Sequence, residues 1–328
     1  MKKILVTGGA GFIGSEFVRQ KAKESKIVVV DKLTYAGDMR RLREDRKKII
    51  FYPVDITNAE FMEHIFNREK PDSVVHFAAE SHVDRSILEP HHSIVSNVLG
   101  TQVLLDMAMK TGVKKFIYIS TDEVYGELGK KGKFKEYMPL KPNSPYSATK
   151  ASAELLVRAC YETHQLPCIV VRPSNNYGHY QYPEKFIPLM ITNLLNDKPI
   201  PVYGRGRQIR DWLHTADCCR GIDVILRKGK AGEVYNLGGE SEYANLDVAM
   251  KVLNLLGKDE NFIKFVPDRP GHDFRYALYN SKIKRLGWKP SLSFESGLKR
   301  TVKWYRENEW WWKDIKNKLT RETRGFWT

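Results

Sequence analysis

The chain has 328 residues, 42% of them hydrophobic and 28% charged, a balance that fits one large globular domain or two closely packed ones and excludes a disordered or fibrous chain. Its formal net charge is +15, but the densest basic run, Arg40-Arg41-Leu42-Arg43-Glu44-Asp45-Arg46-Lys47-Lys48, is broken by acids and lacks interleaved aromatics. It reads as a solvated face rather than a nucleic-acid patch. Cys160, Cys168, Cys218 and Cys219 form no Cys-x-x-Cys pair, no His-Glu-x-x-His occurs, and the adjacent His91 and His92 cannot easily share an ion, so neither disulfide framework nor metal site is expected.

In chain order, residues 3–7 predict a strand, a Gly-rich turn follows, and Phe12, Ile13, Phe17 and Val18 mark a helix. The apolar start stops at Thr7, short of a signal-peptide core, and no stretch is long enough to span a bilayer. A reducing, cytoplasmic setting is expected. Further strands are predicted at 27–30, ending in Asp31, at Ile49–Val54, Ser73–Phe77, Lys115–Ile119 and Cys168–Val171. Between them lie helices from about Asn58, across Ile94–Met109 and after Pro145. This alternation predicts an α/β fold, a doubly wound parallel sheet covered on both faces. Gly100, Gly112 and Gly126 read as caps or turns.

After Arg172 the texture shifts to Pro, Tyr, Asn and Gly with shorter apolar runs, which predicts a smaller α/β substrate-binding lobe. The expected division is residues 1–172 plus a returning segment at about 210–240 for the first domain, and 173–209 with 241–328 for the second. Trp310-Trp311-Trp312 reads as an aromatic anchor.

Two local patterns carry chemistry. Gly8, Gly11 and Gly14 fall between a strand and a helix, where they allow a tight turn, close approach of a pyrophosphate and helix packing on the sheet. Asp31, at the end of the next strand, is spaced to bond adenosine ribose hydroxyls and would repel a 2'-phosphate, so NAD is expected over NADP. Asp55 either meets the adenine or caps the following helix. The second pattern is Tyr146 and Lys150, four apart on one helix face, where the ammonium would lower the phenol pKa so that it can take a hydroxyl proton. Beside it, Thr121-Asp122-Glu123 follows a strand, at the sheet edge where such folds bind ligands. A plain alcohol oxidation needs Tyr, Lys and a hydroxyl donor, whereas eliminating water needs a further acid and a further base.

With these residues assembled, the chain resembles the extended short-chain dehydrogenase/reductases, which are Rossmann-fold enzymes, and within them the dTDP-glucose 4,6-dehydratase family. The matching stretches are Thr7–Ser15, Val30–Gly37, His76–Ser86, Ser120–Gly126, Tyr146–Lys150, Ser174–Gly178, Pro183–Lys185, Arg210–Trp212 and Asp268–Asp273. The resemblance implies a tightly held NAD, regenerated each cycle and contacted by Gly8, Gly11, Phe12, Ile13, Gly14, Asp31, Lys32, Thr34, Asp55, Ile56, Ala78, Ala79, Ser81, Ser96, Tyr146, Lys150 and Asn176. It implies that Tyr146, Lys150 and Thr121 run the oxidation at C4 of a dTDP-sugar, with Glu123 as base at C5 and a protonated Asp122 as acid at C6. Arg210, Asn245, Arg269 and His272 would hold the diphosphate. Asn175, Glu184, Lys185, Pro201 and Tyr203 would line the sugar and base pocket together with Ser81 and Thr121. A homodimer through the helices near 94–109 and 146–163 is also implied, with no membrane or nucleic-acid partner. The sequence departs from the family pattern at Pro173, His179 and Arg205, which bear on the nucleobase. The rival readings are a 4-epimerase, a uronate decarboxylase or a CDP- or GDP-sugar dehydratase. More distant is a non-catalytic nucleotide- or RNA-binding protein supported only by the positive charge.

Overall fold

The protein is described by a computed structural model over residues 2–268 and 270–322. The first part of the chain runs β1 (Lys3–Thr7), α1 (Phe12–Lys21), β2 (Lys26–Val30), β3 (Ile49–Tyr52), α2 (Ala59–Glu69), β4 (Ser73–His76), α3 (Val83–Leu88), α4 (Pro90–Ser93), α5 (Gly100–Thr111), β5 (Lys115–Ile119), α6 (Pro145–His164) and β6 (Cys168–Pro173). It continues as β7 (Asn175–Tyr177), α7 (Phe186–Leu194), β8 (Ile200–Tyr203), β9 (Ile209–His214), α8 (Thr215–Lys228), β10 (Val234–Leu237), β11 (Glu242–Ala244), α9 (Asn245–Leu256), β12 (Ile263–Val266), α10 (Ser281–Arg285), α11 (Phe294–Glu307) and α12 (Glu309–Glu322).

Strands without an exposed face must be apolar on both sides, and the central strands obey this: Val28, Val29 and Val30 of β2 are fully buried. They belong to a seven-stranded sheet of order β3-β2-β1-β4-β5-β6-β10 in which every pair is parallel. One face is covered by α1 and α8 through Phe17, Val18, Ile222 and Ile225. The other is covered by α2, α5 and α6 through Phe66, Leu104 and Val157. The strand order reverses between β1 and β4, which opens a crevice beyond their carboxyl ends. Against this edge lie a three-stranded sheet, β11-β9-β7, and a two-stranded one, β12-β8. Behind them a separate core unites Trp212 with residues of α7, α9, α11 and α12, among them Trp311 and Trp312. None of the helices among the described residues is long and apolar enough to cross a membrane.

Three local expectations change. The third strand ends at Tyr52 because Pro53 has no N–H to continue the ladder, so Asp55 lies in a loop. The helix expected across Ile94–Met109 is broken by a π turn at Ile94–Leu99. Gly100 is no cap: it sits within that helical run, where a Cβ would come 2.6 Å from Ile56 Cδ1. Gly112 and Gly126 do end elements, both at positive φ.

Candidate active site

The Gly-rich turn builds one wall of a cleft of about 220 Å³ at the strand-order reversal. At Gly8 the φ is +67°, and a Cβ would meet Ala78 N at 2.5 Å. A Cβ on Gly14 would strike Gly8 O at 2.2 Å, whereas one on Gly11 meets nothing closer than Gly8 O at 3.1 Å. Gly8 and Gly14 therefore hold turn and helix together, while Gly11 keeps the cleft open to a ligand. No side chain caps α1 at Gly11, which leaves the first-turn N–H groups as a cradle for an anionic group. Asp31 is buried at 8% exposure; Oδ2 accepts from Ala10 N at 2.9 Å and Oδ1 from Leu33 N at 2.9 Å. Burial raises its pKa despite these two donors.

Phe12, Ile13, Lys32, Thr34, Asp55, Ile56, Ala78, Ala79, Ser81, Ser96, Tyr146, Lys150, Glu184 and Lys185 line the same cleft. Lys32 points its ammonium at Asp55 Oδ2, 3.3 Å away. Asp55 also accepts from Thr57 N at 3.0 Å, while Asn58 caps α2, so Asp55 is a loop-ordering acid rather than the helix cap. Asn176 is not among the lining residues; its Nδ2 donates to Ser174 O at 2.9 Å.

One lining residue stands where the sequence reading put a solvated face. Arg41, in the run expected to be solvated, is only 2% exposed. Its Nη1 donates to Ala10 O at 2.8 Å and Ala36 O at 2.6 Å, its Nε to Tyr180 O at 3.1 Å, and its Nη2 is buried with no protein partner. Burial lowers its pKa to about 10. A buried donor left over in a cleft with a bare helix N-terminus suits a diphosphate-bearing ligand.

Next to this cleft, Ser144 caps α6 in a reciprocal box with Ser147, and Pro145 opens the helix, which sets Tyr146 in its first turn with its N–H on Ser86 Oγ at 3.1 Å. Thr121, at the end of β5, accepts from Glu123 N at 3.3 Å and starts a short turn through Asp122–Tyr125. Asp122 is 1% exposed. Burial pushes its carboxyl well above the ordinary range, Glu123 and Asp211 add to this, and the Arg210 guanidinium only partly opposes it. This setting favours the protonated form of the Asp122 carboxyl.

The expected effect of Lys150 is not met. Burial, with Glu123 and Asp122 nearby, raises the Tyr146 phenol above its ordinary value, and the Thr121 hydroxyl alone works the other way. Lys150 Nζ donates to Ile119 O at 2.6 Å and lies 4.3 Å over the Tyr118 ring, and burial brings its pKa down to about 7.

The residues expected at the substrate fall into two groups. Glu184 accepts from Tyr35 OH at 2.9 Å with His82 Nε2 at 3.5 Å, and Lys185 Nζ donates to Ser81 O at 3.0 Å, closing the cleft from the second lobe. Further out, Tyr203 OH donates to Asp84 Oδ2 at 3.3 Å and faces the His272 ring edge-on at 5.8 Å, with His272 Nδ1 2.6 Å from Asp268 Oδ1. Pro201 is in β8, Asn175 in β7 with Oδ1 buried and unpartnered, and Asn245 opens α9 with its N–H on Gln208 O at 2.9 Å. Arg210 is buried over the Tyr276 ring at 4.5 Å, and Nη2 donates to Asp273 O at 2.9 Å. Arg269 lies outside the described residues. Among the described residues no group of three or more His, Cys, Asp or Glu is placed to hold a metal.

Residues 5–301 match the family described as GDP-mannose 4,6 dehydratase. The chain is 48% identical to the dTDP-glucose 4,6-dehydratase of Neisseria meningitidis serogroup B, over 97% of each chain. Among solved structures it is similar to the dTDP-glucose 4,6-dehydratase of Bacillus anthracis in complex with NAD, at 47% identity and TM-score 0.90 over 96% of this chain and 100% of that one. It is also similar to the Streptomyces venezuelae dTDP-glucose 4,6-dehydratase with NAD bound, at 46% identity and TM-score 0.93 over 95% and 99%. A UDP-glucose 4-epimerase of Thermotoga maritima has the same fold at 33% identity and TM-score 0.89. The chain belongs to the dTDP-glucose 4,6-dehydratase family of extended short-chain dehydrogenase/reductases.

Proposed function

We propose that the protein converts dTDP-glucose to dTDP-4-keto-6-deoxyglucose and water. The observation that carries this reading is the carboxyl of Asp122, buried beside Glu123 with its pKa pushed up and close enough to Tyr146 to perturb it. An epimerase or decarboxylase has no use for such an acid next to a second carboxylate. When bound, NAD would supply a reversible two-electron acceptor for the C4 hydride, later returned at C6, and a positive charge when oxidised.

Tyr146 must be ionised to take the proton of the C4 hydroxyl, with Thr121 as its hydroxyl partner, and the positive charge of oxidised NAD would favour that form against the burial that raises its pKa. The resulting C4 ketone acidifies C5–H, and Glu123 removes that proton while Asp122 donates its own to the departing C6 hydroxyl, which leaves as water. Return of a proton to C5, and of the Tyr146 proton toward Asp122, restores every group. Two protons leave the sugar, one is carried off in water and one returns. Lys150, fixed by Ile119 O, orients this end of the cleft.

The pairing of Lys32 with Asp55, and Asp31 facing the cleft, favour NAD over NADP. Phe12, Ile13, Thr34, Ile56, Ala78, Ala79, Ser81 and Ser96 would complete the cofactor contacts. Glu184, Lys185, Asn175, Pro201 and Tyr203 would meet the sugar and base, and Arg210, Asn245, Arg269 and His272 the diphosphate. We further assign residues 1–172 with about 210–240 to the cofactor domain, which agrees with α8 packing on α1 and β10 joining the large sheet. A homodimer is supported by Ile94, Leu99 and Leu155, exposed apolar residues on the helical run before α5 and on α6. A cytoplasmic site is supported by four buried free thiols.

The test is incubation of the purified protein, without added NAD, with dTDP-glucose deuterated at C4. Loss of one water with deuterium at C6 is expected. Deuterium retained at C4 in an epimerised or decarboxylated product, or turnover only of another nucleotide sugar, would overturn the reading.

A further inference from the structure

Two features that stand apart in the sequence, the Arg-rich run from Arg40 and the Trp triplet, meet at the cofactor cleft. Trp311 is fully buried in α12, and the guanidinium carbons of Arg41 and Arg40 lie 4.6 and 5.0 Å from its ring centroid. Arg43 lies 4.3 Å over Trp310, and Arg40 Nη1 donates to Trp310 O at 3.4 Å. From the Trp311 face, Arg41 reaches the Gly-rich turn at Ala10, the loop after β2 at Ala36 and the second lobe at Tyr180. That loop supplies Asp31, Lys32, Thr34, Ala36 and Gly37 to the cleft wall.

We propose that Arg41, clamped against Trp311, is the cofactor-positioning residue that closes this side of the cleft and sets how slowly the dinucleotide leaves. The proposal rests on the dinucleotide reading above. A buried guanidinium lacking one partner is costly, and two contacts offset that cost here: the electron-rich face of Trp311 and an anionic oxygen of the ligand at Nη2. With the ligand gone, Nη2 returns to the orphaned state, so release is opposed by the clamp itself. With Trp311 gone, the fork loses its backing and the loop after β2 is free to lift. Trp311 acts through Arg41 and is a positioning residue at one remove.

The experiment compares the purified enzyme as isolated with Trp311→Leu, Trp311→Phe, Arg41→Lys and Ile315→Ala. The last removes buried apolar volume from the same helix and core and controls for general loosening. Dinucleotide content is read after denaturation by chromatography, release by dilution into an NAD-consuming trap, and fold by thermal melting. Trp311→Leu and Arg41→Lys should release about ten- to thirtyfold faster, the factor of a desolvated cation–π contact, and Trp311→Phe should fall between them and wild type. Wild-type protein that carries no dinucleotide overturns the dinucleotide reading and the clamp together. Wild type that retains it, while both variants release at its rate or Ile315→Ala speeds release as much as they do, overturns the clamp alone. If Trp311→Leu fails to fold, Arg41→Lys and Trp311→Phe decide by the same criteria.

Discussion

Replacing Asp122 by Asn swaps a buried carboxyl for a buried neutral amide of nearly the same shape, and the consequence for folding has a definite sign. Burial raises the native pKa of Asp122 above its unfolded value of about 3.8, so between those two values the native state binds one more proton than the unfolded state. Wild-type stability therefore falls as pH rises through that window, by about 1.4 kcal/mol per unit for this one group. The Asn variant lacks this slope, and titrating groups that do not act on Asp122 cancel in the difference. Within that window the variant should gain steadily on wild type as pH rises, and the gain should vanish below the unfolded value of about 3.8. Denaturant unfolding of both proteins at several pH values measures it directly. The same variant should lose about 10² to 10⁴ in the rate of water elimination, the range for removing a general acid. Two unfolding free energies that run parallel with pH would mean that Asp122 is ionised in the native protein, and the acid would have to be sought elsewhere.

Glu123→Gln should still oxidise C4, so that reduced-cofactor absorbance builds up on adding dTDP-glucose while no water is lost; normal turnover would remove Glu123 from the chemistry. Gly14→Ala should abolish dinucleotide retention, because its Cβ would sit 2.2 Å from Gly8 O, whereas a full complement of dinucleotide in the isolated variant would show that the turn can yield. Glu154 and Arg172 are each 4% exposed and joined at 3.0 and 3.1 Å through Nε, so Glu154→Gln should cost about 3–5 kcal/mol in chemical denaturation, the penalty of an uncompensated buried charge. A loss under about 1 kcal/mol would mean that water reaches the pair.

What could be read from the sequence was what depends on short separations. Gly8, Gly11, Gly14 and Asp31 occupy one strand–turn–helix–strand unit, and Tyr146 with Lys150 one helical turn, so spacing alone placed them. Asp122 and Glu123 were legible as a pair, but the protonation of Asp122 depends on burial and on Asp211 and Arg210, which no local pattern reports. Arg41 was misread because a charge run does not say which member turns inward, and its partners Tyr180 and Trp311 come from the far half of the chain. The hydrogen bond between Tyr35 and Glu184, 149 residues apart, was hidden for the same reason. The four-residue spacing shows that Lys150 is near Tyr146, but not that burial, with Glu123 and Asp122, raises the phenol pKa while the Lys150 ammonium turns to Ile119 O.

The last strand of the large sheet carries a consequence for how the protein is made. Val170 N and Ser174 N of the β6 segment find their acceptors at Glu233 O and Leu237 O, beside and within β10, on the far side of β7, β8, β9 and α8 in the chain. Until residue 237 has left the ribosome, β6 presents an open, valine-rich edge to whatever strand it meets first. Slowing translation between β6 and β10 should therefore lower soluble yield, whereas a pause of equal length after residue 240 should not.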